Sequence, residues 1–132
     1  MEYHSLEVAK HYTDIIELIR LGLNRESYKK NESKEYDINN LIQNNNVAPE
    51  RELREYLENM DFDKIKIIQT TMYIGRDGCF GGETPYEIYN NAREYFDKRG
   101  WNTKEIEISQ ITEKLPLGRY LINALGILQI SL

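Results

Sequence analysis

The stretch FDKIKIIQTTMYIGRDGCFGG, residues 62–82, decides the fold. Phe62, Ile65, Ile68 and Met72 fall on one face of a helix, and Ile67 and Ile74 fall on another. A helix that is apolar on two sides is covered by neighbours on both. The run from Ile65 to Thr71 is also strand material, because β-branched residues dominate it. No second strand-like run stands out to pair with it, and a lone strand is not stable. The segment therefore reads as a buried helix, capped by Asp61 or Asp63. Its second half places four of the chain's eight glycines in residues 75–82. An apolar segment that runs into such a loop is a common way to hold a site and an equally common way to end a core helix.

Outward from this stretch the chain is helical. Towards the N-terminus, residues 5–24 form a long amphipathic helix with Val8, Tyr12, Ile15, Ile16, Ile19 and Leu23 in one stripe, widened by Leu18 and Leu21. From Asn24 to Lys34 the apolar pattern lapses, which predicts an exposed connection. Residues 37–42 form a short helix capped by Asp37. Pro49 opens the next helix, PERELREYLENM, where its missing N–H costs nothing. Beyond the glycines, Thr84-Pro85-Tyr86-Glu87 is the sharpest local signal: a cap, a proline at the first helical position and a capping box. That helix ends at Gly100. Asn102 with Glu105 repeats the capping logic for a helix to about Lys114, and Pro116 opens the last one. The expectation is an all-α, compact bundle of about six or seven helices in one domain, residues 1–132.

Composition narrows the function. At 15.6 kDa the chain buries about two-thirds of its unfolded surface, enough for a core without staples. The one cysteine, Cys79, excludes an internal disulfide and points to a reducing compartment. No basic-then-apolar leader opens the chain and no apolar run approaches a membrane span, so a cytoplasmic protein is expected. The net charge is −5 and basic residues are dispersed among acids, as in Lys29, Lys30 and Lys34 with Glu32 and Glu35. This argues against a nucleic-acid partner, which needs clustered Lys and Arg.

Candidate chemistry is sparse. His4 and His11 lie seven residues apart, without the i, i+4 spacing of a helical metal pair, and no metal or other cofactor is expected. Cys79 would act as a nucleophile only if the fold brought a histidine to it, although Arg76 nearby could lower its pKa. The loop Gly75-Arg76-Asp77-Gly78-Cys79-Phe80-Gly81-Gly82 invites a phosphate reading, because glycines let backbone N–H groups approach an anion. It lacks a GxxxxGK[ST] pattern, and a helix end at Gly75 followed by a turn at Asp77-Gly78 explains it more simply. Arg76 near a helix C-terminus and Arg119 in the last helix suit either a solvated surface or an interface anchor. Ten tyrosines stand against three phenylalanines and one tryptophan, and Tyr86, Tyr89, Tyr95 and Trp101 follow the loop. Tyrosine serves half-buried edges and interfaces alike. A coding bias that raises Tyr, Asn, Lys and Ile together also explains the surplus. The apolar end, with Ile130 and Leu132, either packs back on the domain or meets a second copy.

Several segments taken in order resemble a known family. VAKHYTDIIELIRLG, PERELREYLENM, DKIKIIQTTMYIGRDG and KLPLGRYLINALGIL are together similar to the small bacterial domain-of-unknown-function family 3775. The shared features are the aromatic-Ile-Gly-Arg turn, here Tyr73, Ile74, Gly75 and Arg76, and the segment from Leu115 to Leu121. Asp77 before Gly78, the CFGG insertion and Arg119 in place of an acidic residue depart from the pattern. The resemblance implies the helical fold and a bacterial, cytosolic setting, and it implies no reaction, cofactor or catalytic residue. The expected function is that of a small acidic bacterial protein acting without catalysis, through a protein partner or as a homodimer. The alternative is a small-molecule or phosphate-binding sensor or enzyme that uses the loop from Gly75 to Gly82, with Arg76, Asp77 and Cys79.

Overall fold

The computed structural model describes residues 7–34, 48–78 and 80–131. Among them lie seven helices and no strand: α1 (Glu7–Lys10), α2 (Tyr12–Lys34), α3 (Ala48–Glu58), α4 (Phe62–Asp77), α5 (Pro85–Arg99), α6 (Lys104–Thr112) and α7 (Leu117–Ile127). The all-α expectation holds. The short helix expected at residues 37–42 lies outside the described residues.

The decisive stretch is α4, and it is buried along nearly its whole length. Ile65 and every residue from Ile67 to Gly75 are buried. Its polar side chains bond locally or across one interface, and Gln69 Oε1 alone among them is buried without a partner among the described residues. Thr70 and Thr71 donate to Lys66 O and Ile67 O, both at 2.8 Å, and Gln69 donates to Gln110 Oε1 at 3.2 Å. The back-bonded hydroxyls let β-branched threonines sit inside a helix without stranded polar groups. Asp61 is the cap, accepting from the Lys64 N–H at 2.8 Å.

Around α4 the other helices close a common core. Helix α7 packs most extensively on α4 and next on α2, while α5 and α6 cover other sides of α4 and α3 bridges α2 and α6. Helix backbones meet at glycines. A Cβ on Gly75 would lie 1.7 Å from Tyr120 O, and one on Gly22 would lie 2.9 Å from the Gly118 N atom. Missing side chains at these positions let α7 settle between α2 and α4 at backbone contact. Leu117, Leu121, Ala124, Leu125 and Leu128 then fill the space around it.

Several expectations are corrected. The N-terminal helix is not continuous: the His11 N–H bonds to Val8 O at 3.1 Å, a tight turn that separates α1 from α2. Leu23, placed in the apolar stripe, is 37% exposed. Asn24 to Lys34 is helix rather than connection. Its cause is Arg25, 1% exposed, whose guanidinium donates to Thr112 O at 2.5 Å and Lys114 O at 2.7 Å and pairs with Glu50 at 3.3 Å. One buried arginine thus satisfies carbonyls at the C-terminal end of α6, where the helix dipole favours a cation. The cap of α6 is Thr103, not Asn102, and Glu107 reaches back to the Asn102 N–H at 2.7 Å. Gly75 does not end α4. Gly78 does, at φ 84°, with its N–H on Ile74 O. The tail packs back at Ile130, whose side chain lies against the core; Leu132 lies outside the described residues.

Candidate functional site

Two helix C-termini meet on one face of the bundle. Helix α4 delivers Tyr73, Arg76 and Asp77 before Gly78 turns the chain, and Phe80 follows. Helix α5 delivers Tyr95, Phe96 and Arg99 before Gly100 ends it with an N–H to Phe96 O. Its start is fixed by the capping box at Thr84 and Glu87, so the register of its last turn is set from both ends.

Phe96 is the hub. It is 4% exposed, with Tyr73 stacked on it at 5.2 Å, Tyr95 edge-on at 5.1 Å, Phe80 at 5.5 Å and Trp101 at 6.1 Å. These separations lie in the favourable range for aromatic pairs. Trp101 is pinned by its indole N–H, which donates to Asp97 at 2.7 Å. Burial pushes the Asp97 carboxyl up, but the bonds from Trp101 and Arg93 outweigh it and hold the group below the usual carboxylate range.

Over this aromatic floor lie two guanidinium groups. Arg76 covers the Tyr73 ring at 4.6 Å, and Arg99 covers Phe96 at 5.0 Å with Trp101 at 5.8 Å. Their surroundings differ. Arg76 is held by Asp77 through two bonds of 2.8 and 3.2 Å, which raise its pKa further. Arg99 makes one long bond, from Nε to Gly100 O at 3.4 Å, and pairs with no carboxylate among the described residues. Between the two arginines opens a shallow cleft of about 220 Å³, walled by Tyr73, Phe80, Tyr95 and Phe96 and rimmed by Arg76, Asp77 and Arg99. A second hollow of about 290 Å³ runs along α3, lined by Glu50, Arg51, Arg54, Glu55 and Glu58. There Arg54 is engaged by Glu58, Ser109 and Thr112.

The residues singled out from the sequence separate into three groups. Arg76 and Asp77 stand together on the rim of the cleft, and Gly78 forms the turn beneath them. Gly75 is buried under α7, away from any ligand approach. Arg119 does not line the cleft; its side chain is 64% exposed and pairs with Glu26 at 3.1 Å. Cys79 and His4 lie outside the described residues. At the start of α5, Glu87 Oε1 accepts from the Glu83 N–H at 2.8 Å and the Thr84 N–H at 3.3 Å, and Thr84 Oγ1 accepts from the Glu87 N–H. Three of the backbone donors around this helix N-terminus, those of Glu83, Thr84 and Glu87, are thus engaged by the chain's own side chains. Sequence reasoning carried Phe80 only as a member of the glycine loop and missed Arg99. The spacing Tyr95-Phe96-Arg99 with Trp101 just beyond is the signal that could have found them, since it stacks aromatic and cation on one helix end.

Among the described residues no group of three acidic, histidine or cysteine side chains is placed to hold a metal. No helix among them is long and apolar enough to cross a membrane. No family model, curated protein or solved structure matches the chain.

Proposed function

We propose that this chain is a non-enzymatic binding domain that acts by protein–protein contact, with the cleft between the ends of α4 and α5 as its contact surface. The observation that carries this reading is the convergence of Tyr95, 56% exposed, with Phe80, Arg76 and Arg99 over a buried aromatic floor. Aromatic residues and arginine dominate the energetic centres of interfaces. Guanidinium groups already stacked on fixed rings lose little freedom when a partner arrives. Among the described residues the titratable side chains lining the cleft are arginine, aspartate and tyrosine, and the one carboxylate, Asp77, is engaged by Arg76.

Self-association through the same face belongs to this proposal, as does a cytoplasmic setting without nucleic acid, on the net charge of −5 and the dispersed basic residues. Kinship with family 3775 belongs to it too. In its support, the two segments that carry the resemblance touch, Gly75 of one lying against Tyr120 of the other. The loop-based sensor or enzyme loses support, because Gly75 is buried and Glu87 occupies the Glu83 and Thr84 N–H groups just before α5.

A photoreactive amino acid placed at Tyr95 in the protein's own cells tests the reading, with the same probe at Asn90 as reference. The reading expects a discrete covalent adduct from Tyr95, absent from Asn90 and lost when Arg99 is changed to Glu. An adduct of twice the chain's mass would identify self-association. No adduct, or the same adducts from both positions, would overturn it.

A further inference from the structure

Resting on that reading, we infer that the cleft receives a segment of a partner protein in which an aromatic side chain stands beside a carboxylate. Charge, wall chemistry and size each select this class.

Charge comes first. Asp77 neutralises Arg76 through two hydrogen bonds, so that pair presents a dipole more than a net cation. Among the described residues Arg99 donates only to Gly100 O, through its Nε–H, and its two terminal nitrogens have no partner there. A guanidinium with both terminal nitrogens free offers the planar fork that fits one carboxylate. Lys114 lies outside the lining of the cleft, with its ammonium 5.8 Å from the Tyr73 ring centroid. Arg99 is therefore the one cation among the described lining residues that no carboxylate offsets. A single carboxylate matches it. A polyphosphate would bring further negative charge against Asp77, and a basic segment would meet Arg99.

The walls supply the aromatic half of the match. Phe80 and Tyr95 stand 5.9 Å apart and tilted by 48°, with Tyr95 more than half exposed. An entering ring gains offset or edge-on contacts with both, the arrangements that aromatic pairs prefer. On the opposite wall Tyr73 is already covered by Arg76, which Asp77 holds in place.

Size separates a peptide from a free small molecule. A volume of about 220 Å³ equals the share of roughly seven waters and falls below the range that encloses a whole drug-sized ligand. It holds one aromatic side chain, and the rest of the ligand must lie outside, along the open rim. A polypeptide satisfies this, because its backbone carries the carboxylate to Arg99 while the ring fills the cleft.

Selection of random heptapeptides displayed on phage against the immobilised native chain, with a parallel selection on the folded R99Q variant, tests the inference. Expected are sequences with Asp or Glu within two positions of Phe, Tyr or Trp, enriched roughly tenfold or more on the native chain and not on R99Q. The leading peptide, titrated by NMR, shifts the Arg99 Nε–H resonance, and changing its acid to the amide weakens binding by at least about tenfold. Enrichment of basic or purely aliphatic sequences, equal enrichment on R99Q, or no enrichment overturns the inference. If a specific partner is still cross-linked at Tyr95, the binding-domain reading survives and only the ligand class is wrong. If neither peptide nor partner is found, both fall.

Discussion

Gly75→Ala is the most discriminating perturbation of the fold, because local and tertiary arguments give it opposite signs. Within a helix interior, Ala is favoured over Gly by about 1 kcal/mol. In this bundle, however, the new Cβ would lie 1.7 Å from Tyr120 O and 2.6 Å from the Tyr120 carbonyl carbon. Real Cβ contacts essentially never fall below 3.0 Å, so α4 and α7 must separate by about 1.3 Å, the difference between 3.0 and 1.7. The obstacle is helix backbone, which cannot rotate away as a side chain would. A gap of this size forfeits about half or more of each dispersion contact across the α4–α7 interface. Overpacking in cores costs about 3 kcal/mol at the upper end of its usual range, and subtracting the propensity gain leaves a net loss of about 2 kcal/mol. Gly126→Ala, in the facing helix α7, is the internal control, since a Cβ there meets nothing within 4 Å. It should stabilise by roughly 0.5 to 1 kcal/mol. Urea unfolding followed by circular dichroism at the helical band reads both, with the midpoint of Gly75→Ala falling by about 1 M at unchanged slope. If Gly75→Ala is as stable as the native chain while Gly126→Ala gains stability, the backbone contact between α4 and α7 is wrong.

Three further predictions test the polar framework. Arg25→Met removes a buried guanidinium and leaves Thr112 O, Lys114 O and Glu50 without it, so stability should drop by about 3 kcal/mol in thermal melts, and Arg25→Lys should recover little because an ammonium cannot fork to both carbonyls. Burial first, and then the bond to Asp14, pushes the Tyr56 phenol up to about 12. The folded state holds that proton more tightly than the unfolded chain, so the contribution is complete below about pH 10 and is lost as pH rises towards 12; Tyr56→Phe should flatten this alkaline limb in urea midpoints measured against pH. Asp14 carries the opposite sign: hydrogen bonding from Lys64 first and Tyr56 second holds it below its ordinary value of 3.8. Its contribution is present above about pH 4 and is lost as pH falls through the lowered value, so Asp14→Asn should blunt the acid limb.

What the sequence shows of this fold is its apolar periodicity and its local caps. Thr84 with Glu87, Pro85 and the end at Gly100 are local interactions, and they stand where the residue pattern places them. The two-sided apolar pattern of α4 announced its burial for the same reason. Arg25 shows where this reasoning fails. Leu18, Leu21, Gly22 and Arg25 continue one buried face of α2, but the stripe passes from leucine to glycine to arginine, so an apolar template ends too early. Only the arrival of the α6 carbonyls makes an arginine a core residue there. Likewise nothing local distinguishes Gly75, which lets a helix approach, from Gly78, which ends one. The first is decided by α7 some forty residues later and the second by its own φ.

The site was half legible for a related reason. Arg76 and Asp77 stood out beside the glycines, whereas Phe80 and Arg99 gain meaning only when the ends of α4 and α5 meet. Both arginines sit in last turns, where the helix dipole alone favours them. The residue that follows each one separates them: Asp77 closes Arg76, and Gly100, with no side chain, leaves Arg99 open. This contrast gives a last prediction. Asp77→Asn removes the carboxylate that holds Arg76 and frees a second guanidinium on the same rim. Because the pair is about 40% exposed on each side, its loss should move stability by less than about 1 kcal/mol. Affinity for acidic–aromatic peptides should instead rise, and peptides with two carboxylates should gain most, because the charge that disfavoured a second anion is gone. Titration of one- and two-carboxylate peptides against native and Asp77→Asn chains at equal ionic strength measures this. Equal or weaker binding by Asp77→Asn would show that Asp77 is not what limits the charge the cleft accepts.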